Sequence, residues 1–224
     1  MSKIVHPYAH RLPLIRGWKS RWFRSGKDYR DTLRADVMIR EYLEKKLRSS
    51  HLSSIDFERN SKNTKIIIST ARPGMVIGRS GEGVEALKKD IMKFAKQHNI
   101  VMAEQLHIDI VEVRNPDADA KIIAYTIAEQ LEKRMTFRRV MKMTIEKIMA
   151  ARGVKGAKIV LSGRLGGADM ARREEIKLGG IPLQFMRGDI DFATDTARMT
   201  YGGIGIKVWI YRGDTLEASA PAKN

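Results

Sequence analysis

The sequence predicts an α+β protein of two domains. The first is a three-stranded sheet with helices on one face, and the second a two-layer α/β domain of helices packed on a mostly antiparallel sheet. Three patterns predict this. Apolar residues recur at helical spacing through Met38, Ile39, Tyr42, Leu43 and Leu47, whereas Ile55 and Phe57 alternate with Asp56 and Glu58 as in a strand. Asn115-Pro116-Asp117 is a turn and helix-start signal that divides the chain. Near the end, Ile204, Ile206, Val208 and Ile210 alternate with Gly205, Lys207, Trp209 and Tyr211, the mark of a sheet with one buried face.

Each element follows in order. The first 30 residues hold eight lysines and arginines against one acid, Asp28, with Trp18, Trp22, Phe23 and Tyr29 set among Gly17 and Gly26. No period runs through them. They read as an extended basic arm, residues 1–28, whose aromatics dock on a partner; the alternative, a disordered tail, seldom contains two tryptophans. A helix from Tyr29 to Leu47 opens the first domain, residues 29–114. Strands through Ile55–Phe57 and Ile66–Ile68 flank the polar turn Asn60-Ser61-Lys62-Asn63, and Pro73 stops the second of them. A helical turn, Met75 to Ile77, leads to Gly78 and Gly81, after which a helix runs to about Asn99 and a third strand carries Leu106, Ile108 and Ile110. The second domain, residues 115–213, begins with helices to about Lys133 and from Thr136 to Ala150. Past Gly153 it turns to strands at Ile159–Leu161, Ile190–Phe192 and the final alternation. Residues 214–224 read as a flexible tail.

Composition narrows the function. Among 224 residues, 43% hydrophobic and 30% charged, the formal net charge is +16. Such a field draws polyanions, and nucleic acid is the commonest inside a cell. The membrane alternative wants an apolar span, a signal peptide or a lipidation motif, and none is found, so no membrane partner is expected. With no cysteine, disulfides, thiol catalysis and cysteine-ligated zinc are excluded together. His107 and Asp109 would share a strand face, but no third metal ligand is evident, and His6 and His10 sit in the arm. The twelve methionines read as core filling and as a protein-contact surface, not as a cofactor box. No metal or other cofactor is expected. No Gly-x-x-x-x-Gly-Lys-Ser/Thr and no acidic cluster supports an NTPase or a two-metal nuclease, so no enzyme is expected.

The stretch "PGMVIGRSGEGVEALKKDI" sets Ile77, Gly78, Arg79, Ser80 and Gly81 between a short helix and an amphipathic one. Glycine lets backbone approach a sugar-phosphate chain, the following helix N-terminus offers N–H groups to phosphate, and Arg79 adds charge. Ile77 can support an unstacked base. Alone the pair of glycines is weak, since 18 glycines supply such pairs by chance, and a structural turn is the plainer reading. Between these elements it resembles the KH arrangement, and the preceding helix and strand resemble its type II topology. Further on, "KRMTFRRVMKMTIEK" turns Phe137, Val140, Met141, Ile145 and Ile148 inward and sets Arg138, Arg139 and Lys142 outward, either as a solvated charged face or as a grip on RNA. Arg164, Arg172 and Arg173 around "GRLGG" are further phosphate candidates, as are Arg11, Lys19 and Arg21 in the arm; the glycine loop would otherwise be a tight strand-to-helix connection.

The stretches "KIVHP", "TARPGMVIGRSGEGVEAL", "FRRVMK", "SGRLGGADMARRE" and "GDIDFATDTARMTYGGIGIKVWIYRG" resemble the family of bacterial small-subunit ribosomal protein S-three, over roughly Lys3 to Gly213. The arm's "HPYAHRLPL" departs from that family's pattern in lacking its two glycines. The resemblance implies a cytoplasmic, ribosome-bound constituent of the small-subunit head, without homo-oligomers. It implies ribosomal RNA binding through the elbow and the scattered arginines. It assigns Arg138, Arg139 and Lys142 to messenger RNA at the entry channel, where passive unwinding is assisted. Implied neighbours are the small-subunit proteins S-ten and S-fourteen, met mainly by the C-terminal domain. A free-standing KH-domain regulator or RNA-processing factor is the alternative that the residues leave open.

Overall fold

The computed structural model describes residues 5–12, 14–60, 63–98, 100 and 105–214. The expected helix end at Asn99 and nearly all of the expected tail fall outside the described residues. The chain forms two compact units, Trp18–Arg114 and the pair of segments Met1–Gly17 with Asn115–Asn224.

In the Trp18–Arg114 unit, α2 (Gly26–Lys46) and α4 (Glu82–Gln97) lie on a sheet of β1 (Ser20–Arg21), β2 (Leu52–Arg59), β3 (Asn63–Thr70) and β4 (Gln105–Glu112) in that order, preceded in the chain by α1 (Pro7–His10) of the other unit. β2 and β3 are antiparallel, while β1–β2 and β3–β4 are parallel. The core follows the two periods. α2 buries Ala35, Ile39 and Leu43, α4 buries Leu87, Ile91 and Ala95, and the strands turn Ile55, Phe57, Ile66 and Ile68 onto them. β1 is an addition that the sequence did not reveal, because two residues carry no alternation. Trp22 holds that segment down, its indole N–H donating to Asp36 Oδ2 at 2.8 Å while Arg59 Nε donates to Asp36 Oδ1 at 2.7 Å. Part of the expected partner-seeking arm is thus spent on its own unit, although Phe23 stays 91% exposed.

In the other unit, α5 (Ala120–Glu132) and α6 (Phe137–Ala150) cover one face of an antiparallel sheet. Its strands are β5 (Gly156–Gly163), β6 (Arg172–Gly179), β7 (Gly188–Met199) and β8 (Gly202–Asp214), in the order β6-β5-β8-β7. Asp119 caps α5: its side chain accepts from the N–H groups of Lys121 and Ile122, after a 3-10 turn at Pro116–Ala118. Ile123, Ile127, Leu131, Val140, Met141, Ile145 and Ile148 meet Ile159, Leu161, Ile206, Val208 and Ile210 between the layers. β6 was not expected. "RREEIKLG" lacks an apolar alternation because β6 is an edge strand, largely open on both faces. The glycine turn Leu165–Gly167 therefore joins strand to strand, not strand to helix.

The far face of this sheet is not left to solvent. Val160, Ile190, Trp209 and Tyr211 form a second small core there, joined by Ile181, Leu183 and Phe192. The start of the chain supplies part of the cover. α1 lies along β7, with the His6 ring 4.8 Å from that of Phe192, and Arg11 is buried beneath it. Among the described residues, His6 to Arg11 are thus docked on their own chain, not extended.

A pH prediction arises in β2. Burial pushes the Asp56 carboxyl above the ordinary carboxylate range, against the opposing pull of Lys19, Arg21 and Arg40. The folded protein then binds this proton more tightly than the unfolded chain does. The stability tied to Asp56 is full at acid pH and is lost as pH rises from the ordinary aspartate range through the folded-state value. Asp56→Asn removes the titration. Thermal denaturation of the two proteins should therefore show the variant gaining on the parent as pH rises above the ordinary aspartate range; a melting-temperature difference independent of pH would contradict the assignment.

Candidate nucleic-acid interface

Pro73 starts α3 (Pro73–Ile77), and the chain then turns sharply through Gly78, Arg79, Ser80 and Gly81 into α4. Gly78, Ser80 and Gly81 have φ of 70°, 55° and 85°. Two of the three left-handed positions are glycines, as the geometry requires. Arg79 and Ser80 are exposed, and Ile77 is 38% exposed beside them. No side chain caps α4, and the N–H of its first residue, Glu82, donates to the Arg79 carbonyl. Glu82 and Glu85 in the first turn, however, answer part of the helix dipole. The elbow thus offers Arg79 as an exposed cation, with two carboxylates of the next turn close behind it in sequence.

Gly83 is the residue that the sequence reading missed. A Cβ there would stand 2.5 Å from the Val76 carbonyl oxygen and 2.8 Å from that of Ile77. The third glycine of "GRSGEG" lets the first turn of α4 lie against the last carbonyls of α3, which fixes the elbow's bend.

On α6, Val140, Met141, Thr144, Ile145 and Ile148 are buried, and Arg138, Arg139 and Lys142 are exposed together on the opposite side. Among the described residues none of these three is in an ion pair; Arg138 lies over the Phe137 ring at 5.7 Å. Phe137 is half-buried, with the Arg172 guanidinium also 5.5 Å from its ring. Arg134 stands four residues before Arg138, as Lys142 stands four after it, but it does not extend their row. It sits in the α5–α6 turn with φ of 61°, off the helix.

The remaining candidates separate. Arg11 is corrected: at 0% exposure it cannot meet a phosphate. Its guanidinium donates to the carbonyls of Gly188 at 2.5 Å, Pro7 at 3.0 Å and Phe185 at 2.8 Å. Burial is paid for by those bonds, so this cation is a structural pin. Arg164 braces its own loop, donating to Ala168 O at 2.8 Å and Tyr201 O at 3.4 Å, with Asp169 at 3.3 Å. Arg172 pairs with Glu174 at 3.4 Å and Arg173 with Glu175 at 2.9 Å, and as neighbours on a strand they serve opposite faces. Arg21 pairs with Glu58 at 3.3 Å, and Lys19 is exposed in the same segment. His107 and Asp109 are exposed on β4, where Asp109 pairs with Lys65 at 2.8 Å. Among the described residues no group of three metal-ligating side chains comes together.

A KH domain model matches residues 38–118, and a model described as Ribosomal protein S3, C-terminal domain, matches residues 127–210. The small ribosomal subunit protein uS3 of Exiguobacterium sibiricum is 45% identical over 224 residues, covering 100% of this chain and 99% of that one. The protein of the same name from Clostridium novyi is 44% identical over 216 residues, covering 96% and 95%, and that from Caldicellulosiruptor bescii 46% over 222 residues, covering 99% and 97%.

Proposed function

The chain belongs to the uS3 family of small ribosomal subunit proteins, which is structural and not enzymatic, and from that premise we propose how it serves the subunit. It is a structural constituent of the small-subunit head that binds ribosomal RNA at the Gly78–Gly81 elbow and holds messenger RNA at the entry channel through Arg138, Arg139 and Lys142. The observation that carries the second part is the contrast in pairing. Arg164, Arg172 and Arg173 are each spent on a carboxylate or carbonyl, while the three cations of α6 stand exposed and unpaired among the described residues, on a helix whose other side is core. Cations so placed grip the phosphates of a passing single strand without reading its sequence. Unwinding is then passive, driven by the translating ribosome. Met170, Leu178, Phe185 and Met186 leave apolar surface exposed on this unit, which supports contacts there with head neighbours such as S-ten and S-fourteen. No helix among the described residues is long and apolar enough to cross a membrane, and the proposed site of action is the cytoplasmic ribosome.

Changing Arg138, Arg139 and Lys142 together to Ala tests this. All three are exposed, so stability should move by no more than about 0.5 kcal/mol and the protein should still sediment with small subunits at a stoichiometry near one. Losing three phosphate contacts should flatten the log-affinity against log-salt slope for single-stranded RNA by roughly two. Translocation through a stable downstream hairpin should slow, with little change on unstructured messenger. Equal slowing on both templates, or exclusion of the variant from subunits, would refute the messenger role.

A further inference from the structure

We propose that the outer face of the second sheet carries a separate pocket for a single RNA nucleotide, a site that rests on the RNA-binding reading above and extends it. The cavity, about 520 Å³, lies over β5, β7 and β8 and is closed at one end by His6 and Pro7. Register creates it. Ser162 and Thr196 both pair with Gly205, so the middle of that row has no side chain. In the next row Lys207 stands between Val160 and Thr194, and in the row after that Trp209 stands between Lys158 and Phe192. A bare glycine next to a lysine and two large rings leaves a depression of nucleotide size.

Three properties of the lining select the ligand. The half-buried Phe192 ring, tilted 37° to the buried Trp209 ring with centroids 5.0 Å apart and met edge-on by His6, is the aromatic face that a base would stack on. Trp209 is 6% exposed and its indole N–H has no acceptor among the described residues, so a donor sits buried beside the cavity at a cost that a ligand carbonyl or phosphate would relieve. Finally, Lys207, which has no ion pair among the described residues, lines the cavity and no carboxylate does; Arg173 also lines it, but its charge is answered by Glu175. An aromatic plane carrying acceptors and a phosphate meets all three. A basic protein extension would be repelled by the same cations.

The test is a titration of the full-length, uniformly ¹⁵N-labelled protein with hexauridylate, followed by NMR. The Trp209 indole resonance, assigned with Trp209→Phe, should shift on the same concentration scale as the backbone amides of Arg79 and Ser80. Phe192→Leu keeps apolar volume but loses the ring face, and Lys207→Glu reverses an exposed charge. Each should weaken the binding read at Trp209 at least about fivefold, the low end of what base–aromatic stacking supplies, while Arg79 and Ser80 titrate as before and melting curves hold. An indole that stays fixed while Arg79 and Ser80 move overturns the pocket and spares the wider reading; if neither site moves, both fall. Parent-like binding in both variants overturns the pocket too. So does an indole shift produced by deleting residues 1–4 without RNA, if RNA then adds nothing, since the cavity would belong to this chain's own start.

Discussion

Arg11→Met should lower the unfolding free energy of the C-terminal unit by about 3 kcal/mol, because it leaves several buried carbonyls without donors. The side chain donates to Gly188, Pro7 and Phe185, which joins α1 to the beginning of β7 and to the segment ahead of it. Nearby, Arg16 and Arg212 straddle Asp189 and Asp191, with Arg16–Asp189 at 2.6 Å and Arg212–Asp191 at 3.1 Å. Methionine matches the stem of arginine but offers no N–H, so the volume is kept and the bonds are lost. Equilibrium denaturation should show the drop. Trypsin should also cleave at Arg16 more readily, since the segment over Phe192 loses its pin. Arg11→Lys should recover only part of the stability, because one ammonium cannot reach carbonyls that a planar fork spans. A change below about 0.5 kcal/mol, the size usual for surface substitutions, would show that the pin contributes nothing.

Gly83→Ala should cost the KH unit about 2–3 kcal/mol, the scale of overpacking against groups that cannot yield. The atoms that its Cβ would strike, Val76 O at 2.5 Å and Ile77 O at 2.8 Å, are backbone, so relief requires α3 and α4 to separate. That motion displaces Arg79 and Ser80, and affinity of the purified chain for single-stranded RNA should fall with stability. Gly74→Ala is the control. A Cβ there meets nothing within 4 Å, so stability and RNA binding should stay close to the parent's. If both alanines behave alike, the close approach at Gly83 does not set the elbow's shape.

Local pattern was enough for much of this protein. Helical spacing in α2, α4 and α6 and alternation in β2, β3 and β8 were legible because each element buries one face, and burial is written at period 3.6 or 2. Gly78 and Gly81 were legible because glycine beside an amphipathic helix signals an unusual backbone. Arg138, Arg139 and Lys142 were legible as one face because helical spacing alone sets them opposite Val140, Met141 and Ile145. What sequence could not decide were the contacts between residues far apart in the chain. Arg11 looked like a basic arm residue until Gly188, distant in sequence, supplied an acceptor for it. Trp209 and Tyr211 stood at outward positions, yet a second small core and the docked chain start cover them. β6 gave no alternation because an edge strand with little burial selects none. Whether Arg164, Arg172 and Arg173 were available to a ligand depended on where Ala168, Glu174 and Glu175 came to lie. Charge and period are local properties and can be read from neighbours in sequence. Pairing and cover belong to the folded chain, because a cation is spent or free only according to what packs against it.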